Sequence, residues 1–510
     1  MAADPLDAPR PVVTFGAELH LRATALKDAA VTDVLFDSSR REYRTDRYLV
    51  PEADDRFASA VARLRLDGRH LGGEFAWSLV ADTGELRRRR DWAPVGLCAS
   101  ATSPSGFITC AAGGAGVVPG TAQGGARLLS NGRILGEEAH ATWLLREANL
   151  RWTFGRAGFA KLQAGLARLT IADGLIHDDD ATGIDLALDL GALGPPVALR
   201  LAAYLPTRDL PWRETFSPLL LVEAAWQLSL VDRIGLFAAA RRDRADGVAR
   251  LLDGARLEAA VLQLDARAPG TALYKTATLF MNSVLSRPPT SDATLAWAGV
   301  SGTLRPWSGQ RLTFTGALSG GTIHRLELYS GQVVAQDAPL SGQAAQVRWA
   351  SSPLDWLTLT PWFLYLSGDG GPYGKPNRAL SDGYRGFLGV TPLVTATNLF
   401  FQGGISETFS SRQVAAPGVN GRGVVAGGLT VGLDLPGDVD VTGRAAWLQA
   451  PVAGPFGGRH YGTELDGEVS WQAASWLVLA LEGDVLLPGD FFAGQRTTSK
   501  VVLALDVVTP

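Results

Sequence analysis

A single transmembrane, antiparallel up-and-down β-barrel is the fold class this sequence predicts, and three observations predict it. The first is a code of period two, clearest over Tyr461 to Val508. There Tyr461, Thr463, Leu465, Gly467, Val469 and Trp471 fall on one face, and Glu464, Asp466, Glu468 and Ser470 fall on the other. Leu477, Leu479, Leu481 and Val485 then alternate with Val478, Ala480, Glu482 and Asp484. Val501, Leu503, Leu505 and Val507 alternate with Lys500, Val502, Ala504 and Asp506. Successive strand side chains point to opposite faces, so each segment has one greasy and one mostly polar side. A soluble sandwich gives the same code, but its recurrence along one long chain favours a barrel.

The second observation is hydrophobic content of 46% beside 19% charge, with no run near the roughly 18 apolar residues a membrane helix needs. A barrel reconciles these, because its backbone bonds close on themselves and only alternate residues must be apolar. The third is that Gly (59) and Pro (28) punctuate all 510 residues with no linker between them, as many tight turns in one body require. The strongest helical candidate, Leu219 to Ala240, is broken by Glu223, Gln227 and Asp232 at spacings that suit strands equally.

In chain order, residues 1–11 read as a Pro/Asp-rich tail, and 12–508 as the barrel. The start Met1-Ala2-Ala3-Asp4-Pro5 reads as a mature N-terminus with an added initiator. Val12 to Ala23 is the first strand, with Val13, Phe15, Ala17, Leu19 and Leu21 opposite Thr14, Glu18, His20 and Arg22. Residues 27–55 mix both charge signs and read as a long loop or lumen insert. Ala58 to Asp67 and Leu71 to Leu79 read as a hairpin turning at Asp67-Gly68. Residues 83–122 form the longest irregular stretch, holding the Arg87 to Arg90 run, Cys98 and Cys110. In an oxidising envelope those two cysteines would close a disulfide; in a cytosolic chain they would be ordinary thiols.

Strands resume from Ala139. Glu147, Asn149, Arg151 and Thr153 alternate with Ala148, Leu150, Trp152 and Phe154, and Phe159 to Ile171 leads to an acidic tip, His177 to Asp180, and then Gly183 to Leu190. Further candidates are 197–205, 219–230, 234–242, 255–264, 272–281, 293–304, 311–318, 344–350 and 356–366. A Gly/Pro-rich loop at 367–382 precedes candidates at 386–390, 394–403, 424–435 and 438–450 and the terminal trio. The expected count is about eighteen, within roughly 16–20. Trp143, Trp152, Trp297, Trp307, Trp356, Trp362, Trp447, Trp471 and Trp476 lie near strand ends and suit interfacial girdles.

Lys161-Leu-Gln-Ala-Gly-Leu-Ala-Arg-Leu-Thr-Ile-Ala-Asp-Gly-Leu-Ile176, followed by Asp178 to Asp180 and Gly183 to Leu190, resembles a stretch of alginate-export-type outer-membrane barrels. Gly462-Thr-Glu-Leu-Asp-Gly467, closing on Leu487-Pro-Gly-Asp-Phe-Phe492, is similar to that family's last strands. The resemblance covers about a fifth of the chain. It implies an 18-stranded outer-membrane barrel passing an anionic polymer or small solutes. The chain departs from the family in mixing acids with arginines on its polar phase, and in ending Val507-Val508-Thr509-Pro510 without a terminal aromatic.

Chemistry concentrates on the polar phase. Arg63, Arg65, Arg151 and Arg444 share it with Glu18, Glu147, Asp440, Glu464, Asp466, Glu468 and Asp506. Within a water-filled barrel they would line the lumen as opposing ladders whose transverse field orients and selects solutes. Alternatively they pair between neighbouring strands and keep the wall wet and round. His177-Asp178-Asp179-Asp180 lacks EF-hand spacing and reads as a solvated turn instead of a calcium site. The Arg87 to Arg90 run suits lipopolysaccharide phosphates or an anionic glycan, or is a solvated loop.

The six histidines are scattered without metal-ligand spacing. Gly368 to Lys375 lacks phosphate-loop spacing, and no Gly-x-Ser-x-Gly elbow is present. No catalytic residue, metal or cofactor is therefore expected. A net charge of −4 argues against nucleic acid as a partner. The expected setting is the bacterial outer membrane, with its lipids and lipopolysaccharide, a polar or anionic solute, and envelope proteins as partners. Two functions follow: a porin-like channel or exporter of small polar solutes or an anionic polysaccharide, or a loop-plugged barrel acting as scaffold in a secretion or motility assembly.

Overall fold

The computed structural model describes residues 12–27, 33–37, 42–47, 55–70, 74–83, 86–89, 144–155, 158–206, 217–243, 292–329, 332–369, 383–390, 394–401, 404–405, 422–454, 457–491 and 497–509. The strands in chain order are β1 (Val12–Lys27), β2 (Asp33–Asp37), β3 (Glu42–Arg47), β4 (Asp55–His70), β5 (Phe75–Asp82), β6 (Leu86–Arg89), β7 (Leu144–Phe154), β8 (Ala160–Ile171), β9 (His177–Asp189), β10 (Val197–Pro206) and β11 (Leu219–Gln227). They continue as β12 (Arg233–Asp243), β13 (Asp292–Leu304), β14 (Gln310–Tyr329), β15 (Gln332–Leu354), β16 (Leu357–Leu366), β17 (Val424–Leu435), β18 (Val439–Gln449), β19 (His460–Ala474), β20 (Leu477–Pro488) and β21 (Thr498–Val508).

Every sheet neighbour is antiparallel, and the sheet closes where Leu21 of β1 lies between Leu505 of β21 and Ala60 of β4. β5 and β6 are two pieces of one strand against β4. The nineteen sheet segments therefore make an eighteen-stranded closed barrel. Closure removes the unpaired edges an open sheet would expose to lipid.

The apolar phase read from the sequence is the outer surface. Leu465, Val469, Trp471, Leu481, Val501 and Leu503 are exposed, while Glu464, Asp466, Glu482, Asp484 and Lys500 are buried. Tyr461 departs from its assigned phase. The ladder pairs Leu448 with Gly462 and Gln449 with His460, skipping Tyr461. Gly462 sits at φ 151°, and this bulge turns the Tyr461 ring inward, where it is fully buried.

One end of the barrel carries short turns at 71–74, 155–159, 190–196, 228–232, 305–309, 355–356, 436–438 and 475–476. At the other end β6, β12 and β16 are followed by long stretches of sequence before β7, β13 and β17 begin. Exposed Trp152, Trp226, Trp307, Trp349, Trp356, Trp471 and Trp476 gather at the short-turn end, and Trp447 lies toward the other. An even-numbered closed barrel with an apolar outer band, an aromatic girdle and short turns at one end is the architecture of a bacterial outer-membrane protein, short turns facing the periplasm. At that end Asp232 accepts from the Ser229 hydroxyl (2.7 Å) and the Arg305 amide (2.6 Å), tying two turns together. The Ser229 hydroxyl first, then the Arg305 amide, hold its carboxyl below the usual range.

Several sequence expectations are corrected. β4 runs straight through Asp67-Gly68, and the turn falls at 71–74, because the residues on both sides keep alternating. Residues 27–55 include the β2–β3 hairpin. Arg87 to Arg89 lie on β6, paired with Phe57 to Ser59. The acidic tip belongs to β9, and the turn lies before it, where Ala172, Asp173 and Gly174 take positive φ. Leu219 to Ala240 is the β11–β12 hairpin. β14 and β15 extend to 20 and 23 residues across a Gly/Ser-rich stretch that hid their alternation. Trp297 is buried inside the barrel, and Trp362 packs against the interior cluster. Residues 386–390 and 394–401 form no strand; a single isolated bridge, Leu340 to Tyr384, touches this region. The expected strands at 255–264 and 272–281, together with Trp143, Cys98 and Cys110, fall outside the described residues.

Candidate functional site: the barrel interior

Between β16 and β17 the described residues 383–390 and 394–401 lie inside the barrel and contact its inner wall. The chain there leaves the wall where the Phe387 amide donates to Ser367 O (2.9 Å) and the Tyr384 amide to Pro339 O (2.8 Å). It then passes β13, where Trp297 Nε1 donates to Leu388 O at 2.7 Å. Next it meets the β8–β9 turn, where the Val390 amide donates to Ile176 O at 2.7 Å. Finally it lands on β18 to β21, whose wall faces that turn across the lumen.

The landing site is built from carboxylates. Glu464 accepts from Thr397 Oγ1 (2.8 Å), the Phe400 amide (2.9 Å) and the Leu399 amide. Asp466 accepts from the Asn398 amide at 3.2 Å. Glu482 accepts from the Ile405 amide. Three successive main-chain N–H groups, 398 to 400, are thus satisfied by two carboxylates, the first by Asp466 and the next two by Glu464. Asn398 is the hub. Its Nδ2 donates to Asp484 (2.9 Å), its Oδ1 accepts from Arg444, and its carbonyl accepts from Lys500 Nζ (3.0 Å). Lys500 also lies 2.7 Å from Glu482 and 3.0 Å from Asp484. Beside this cluster the Phe400 ring meets Phe401 edge-on (84°) and Tyr461 at a tilt (41°), and Tyr461 meets Phe491 at a tilt (57°). Glu464 and Glu482 are fully buried beneath the segment.

A second, partly exposed ribbon of charge runs over the inner wall from β21 to β11. Asp506 pairs with Arg22, and His20 Nδ1 lies 2.8 Å from Asp506 while its Nε2 lies 3.1 Å from Glu18. Arg63 bridges Glu18 (3.2 Å) and Asp82 (3.7 Å). Arg146, at a bulge in β7, spans Asp82 (3.5 Å) and Asp180 (3.0 Å). Arg200 joins Asp185 (2.6 Å) to Glu223 (3.1 Å). Nearer the short turns, Arg65 pairs with Asp67, Ser78 donates to Glu147 (3.1 Å), and Arg151 donates to Asn149 (3.1 Å).

Burial grades along the barrel axis. On β4 the inner positions pass from buried Ser59 and Val61 to half-buried Arg63 and exposed Arg65 and Arg69. On β19 they pass from buried Glu464 and Asp466 through Glu468 to exposed Gln472. Inward side chains of β4 and β19 are thus buried toward the outer end and exposed toward the short-turn end.

The nine residues singled out on the polar phase thus fall into two places. Arg63, Arg65, Glu147, Arg151 and Asp506 belong to the open ribbon. Arg444, Glu464 and Asp466 hold the inward segment, with Glu468 just below. Glu482, Asp484 and Lys500 sat on the same readable phase without being singled out. Thr397 and Asn398 gave no sequence signal at all, because their partners lie 46 to 102 residues away. Among the described residues no group of three or more His, Cys, Asp or Glu could hold a metal ion.

No protein-family model and no curated protein matches the chain. Similar solved structures include Pseudomonas aeruginosa OpdK with vanillate, at 9% identity over 97% of this chain and 98% of that one, TM-score 0.43. Pseudomonas aeruginosa OccK9 (OpdG) is 10% identical over 97% and 98%, TM-score 0.44. A variant of OccD1 (OprD) is 10% identical over 99% and 97%, TM-score 0.44. By its own geometry the chain is an eighteen-stranded outer-membrane β-barrel.

Proposed function

We propose that this protein is a porin-like channel for small polar solutes, closed in its outer half by residues 383–390 and 394–401. The observation that carries this reading is the exposure of Arg65 (side chain 48%) on the inner phase of β4. A charged side chain facing inward yet solvated means water occupies that part of the lumen. The charge ribbon from Asp506 to Glu223 continues from there into the half-buried zone. Facing rows of Arg and carboxylate give such a path a transverse field without a tight binding site. A segment spanning the lumen suits small solutes better than the anionic polysaccharide the sequence resemblance implied.

The filled outer half favours one second reading, a closed barrel serving as scaffold in the envelope. Planar-bilayer recording separates them. A channel of roughly nanosiemens order is expected from the wild type or from Thr397→Ala/Asn398→Ala, whose segment has lost its side-chain ties. Silence from both would leave the scaffold.

A further inference from the structure

The charge ribbon and the carboxylate cluster occupy β18 to β11 by way of β1. On the remaining arc the inner wall carries hydroxyls: Thr303 of β13 opposes Thr313 of β14, Thr360 of β16 opposes Thr430 of β17, and Thr442 follows on β18. All five are half-buried, and their outward neighbours Phe363 and Leu429 are exposed on the lipid side. In the middle of this arc stands Trp362, directly opposite Arg348 of β15 and Gly428 of β17. Leu364 and Leu366 to one side of it along β16 are buried, and Thr360 and Thr358 to the other are half-buried. Gly428 is what lets the indole lie down on the wall, because a Cβ there would come within 2.6 Å of Trp362 Cζ2 and 2.7 Å of Cε2. Its Nε1 is shielded from solvent, so the part of the ring that meets the lumen is carbon. Arg348 differs from Arg22, Arg63, Arg146 and Arg200: among the described residues it has no carboxylate partner, and its guanidinium rests against the Gln346 amide. Among the described residues no hydrogen bond occupies the hydroxyls of Thr360, Thr430 or Thr442 either.

We propose that Trp362, Arg348, Thr360 and Thr430 form a subsite for the ring of a small neutral sugar. As a statement about passage, this names the solute class of the channel and rests on the channel reading above. A pyranose presents C–H groups on its faces and hydroxyls around its rim. Aromatic carbon laid flat covers one face and fixes its orientation. The rim needs donors and acceptors not already spent on each other, which is how a few placed polar groups give a site its specificity. The threonine hydroxyls are both donor and acceptor, and a guanidinium without a counter-ion donates to two adjacent sugar hydroxyls at once. One cation beside an indole also suits an aromatic acid. Hydroxyls on successive strands favour the sugar, and the test compares the two.

Saturation-transfer NMR on the full-length protein in a sugar-free detergent, with maltose as the probe, reads the subsite directly. Saturation should reach the maltose ring protons. The affinity should fall at least about fivefold in Trp362→Ala and about threefold in Thr360→Val/Thr430→Val, while Trp362→Tyr stays within about twofold of wild type. The valine pair keeps the shape of the wall, so it carries the test if Trp362→Ala does not fold. No maltose signal, equal affinity in wild type and folded variants, or tighter binding of benzoate than of maltose overturns the subsite. Vesicle swelling separates this from the channel reading. Maltose bound by a barrel that admits neither maltose nor glycine supports the subsite and sinks the channel. Glycine admitted by a barrel that binds no maltose sinks the subsite alone.

Discussion

The carbonyl of Asn398 accepts a hydrogen bond of 3.0 Å from Lys500 Nζ, 102 residues further along the chain. That ammonium simultaneously pairs with Glu482 and Asp484 on the adjacent strand. Lys500→Met should therefore leave two buried carboxylates without their cation, costing about 3–5 kcal/mol. Lys500→Arg should retain most of the stability. The denaturant midpoint of the folded, heat-modifiable band on a gel reads both, and equal midpoints for wild type and Lys500→Met would refute the pairing.

Leu481 is half exposed on the outer face, midway along β20 and between Val469 and Leu503. Leu481→Arg places a charge in the hydrocarbon and should cost roughly 2–4 kcal/mol. Leu481→Phe should be nearly neutral. The yield of folded barrel in lipid vesicles distinguishes the two, and similar yields would count against the assigned lipid face.

The tryptophans divide between two environments. Trp297 lies inside the barrel, bonded to Leu388 O, whereas Trp307, Trp356, Trp471 and Trp476 are exposed at the periplasmic girdle. Brominated lipids should quench the girdle residues and spare Trp297. In variants with Trp307, Trp356, Trp471 and Trp476 replaced by Phe, the quenched fraction should drop sharply, while Trp297→Phe should raise it.

Arg63 bridges Glu18 and Asp82 on the open ribbon. Arg63→Ala removes one fixed positive charge and leaves two carboxylates facing the path. The reversal potential in a salt gradient should shift toward cation preference, by an amount that shrinks as ionic strength rises because the field is screened within roughly 10 Å at 0.1 M salt. A shift toward anions would contradict the placement of this ribbon along the path.

Local sequence was enough for the wall. Period-two alternation in β1, β17, β18, β20 and β21 marks both the strands and their lipid side, because lipid accepts apolar side chains on one face only. It failed where the face changes mid-strand: a bulge inverted Tyr461, and Gly/Ser-rich stretches masked the length of β14 and β15. It failed again at 386–401, whose run of Phe387, Leu388, Val390, Leu399, Phe400 and Phe401 lacks alternation. A short unbroken apolar run reads as a buried strand by pattern alone.

What the sequence by itself determined is the barrel class and, for most strands, the face that meets the membrane, since these follow from side-chain periodicity within single segments; the strand number it only bracketed at roughly 16–20, and the structure fixed it at eighteen. The tertiary structure alone decided that the chain after β16 enters the lumen, and which inward charges it covers and which it leaves wet. The physical reason is range. The bonds at Asn398 join residues far apart in sequence, brought together only once the barrel has closed.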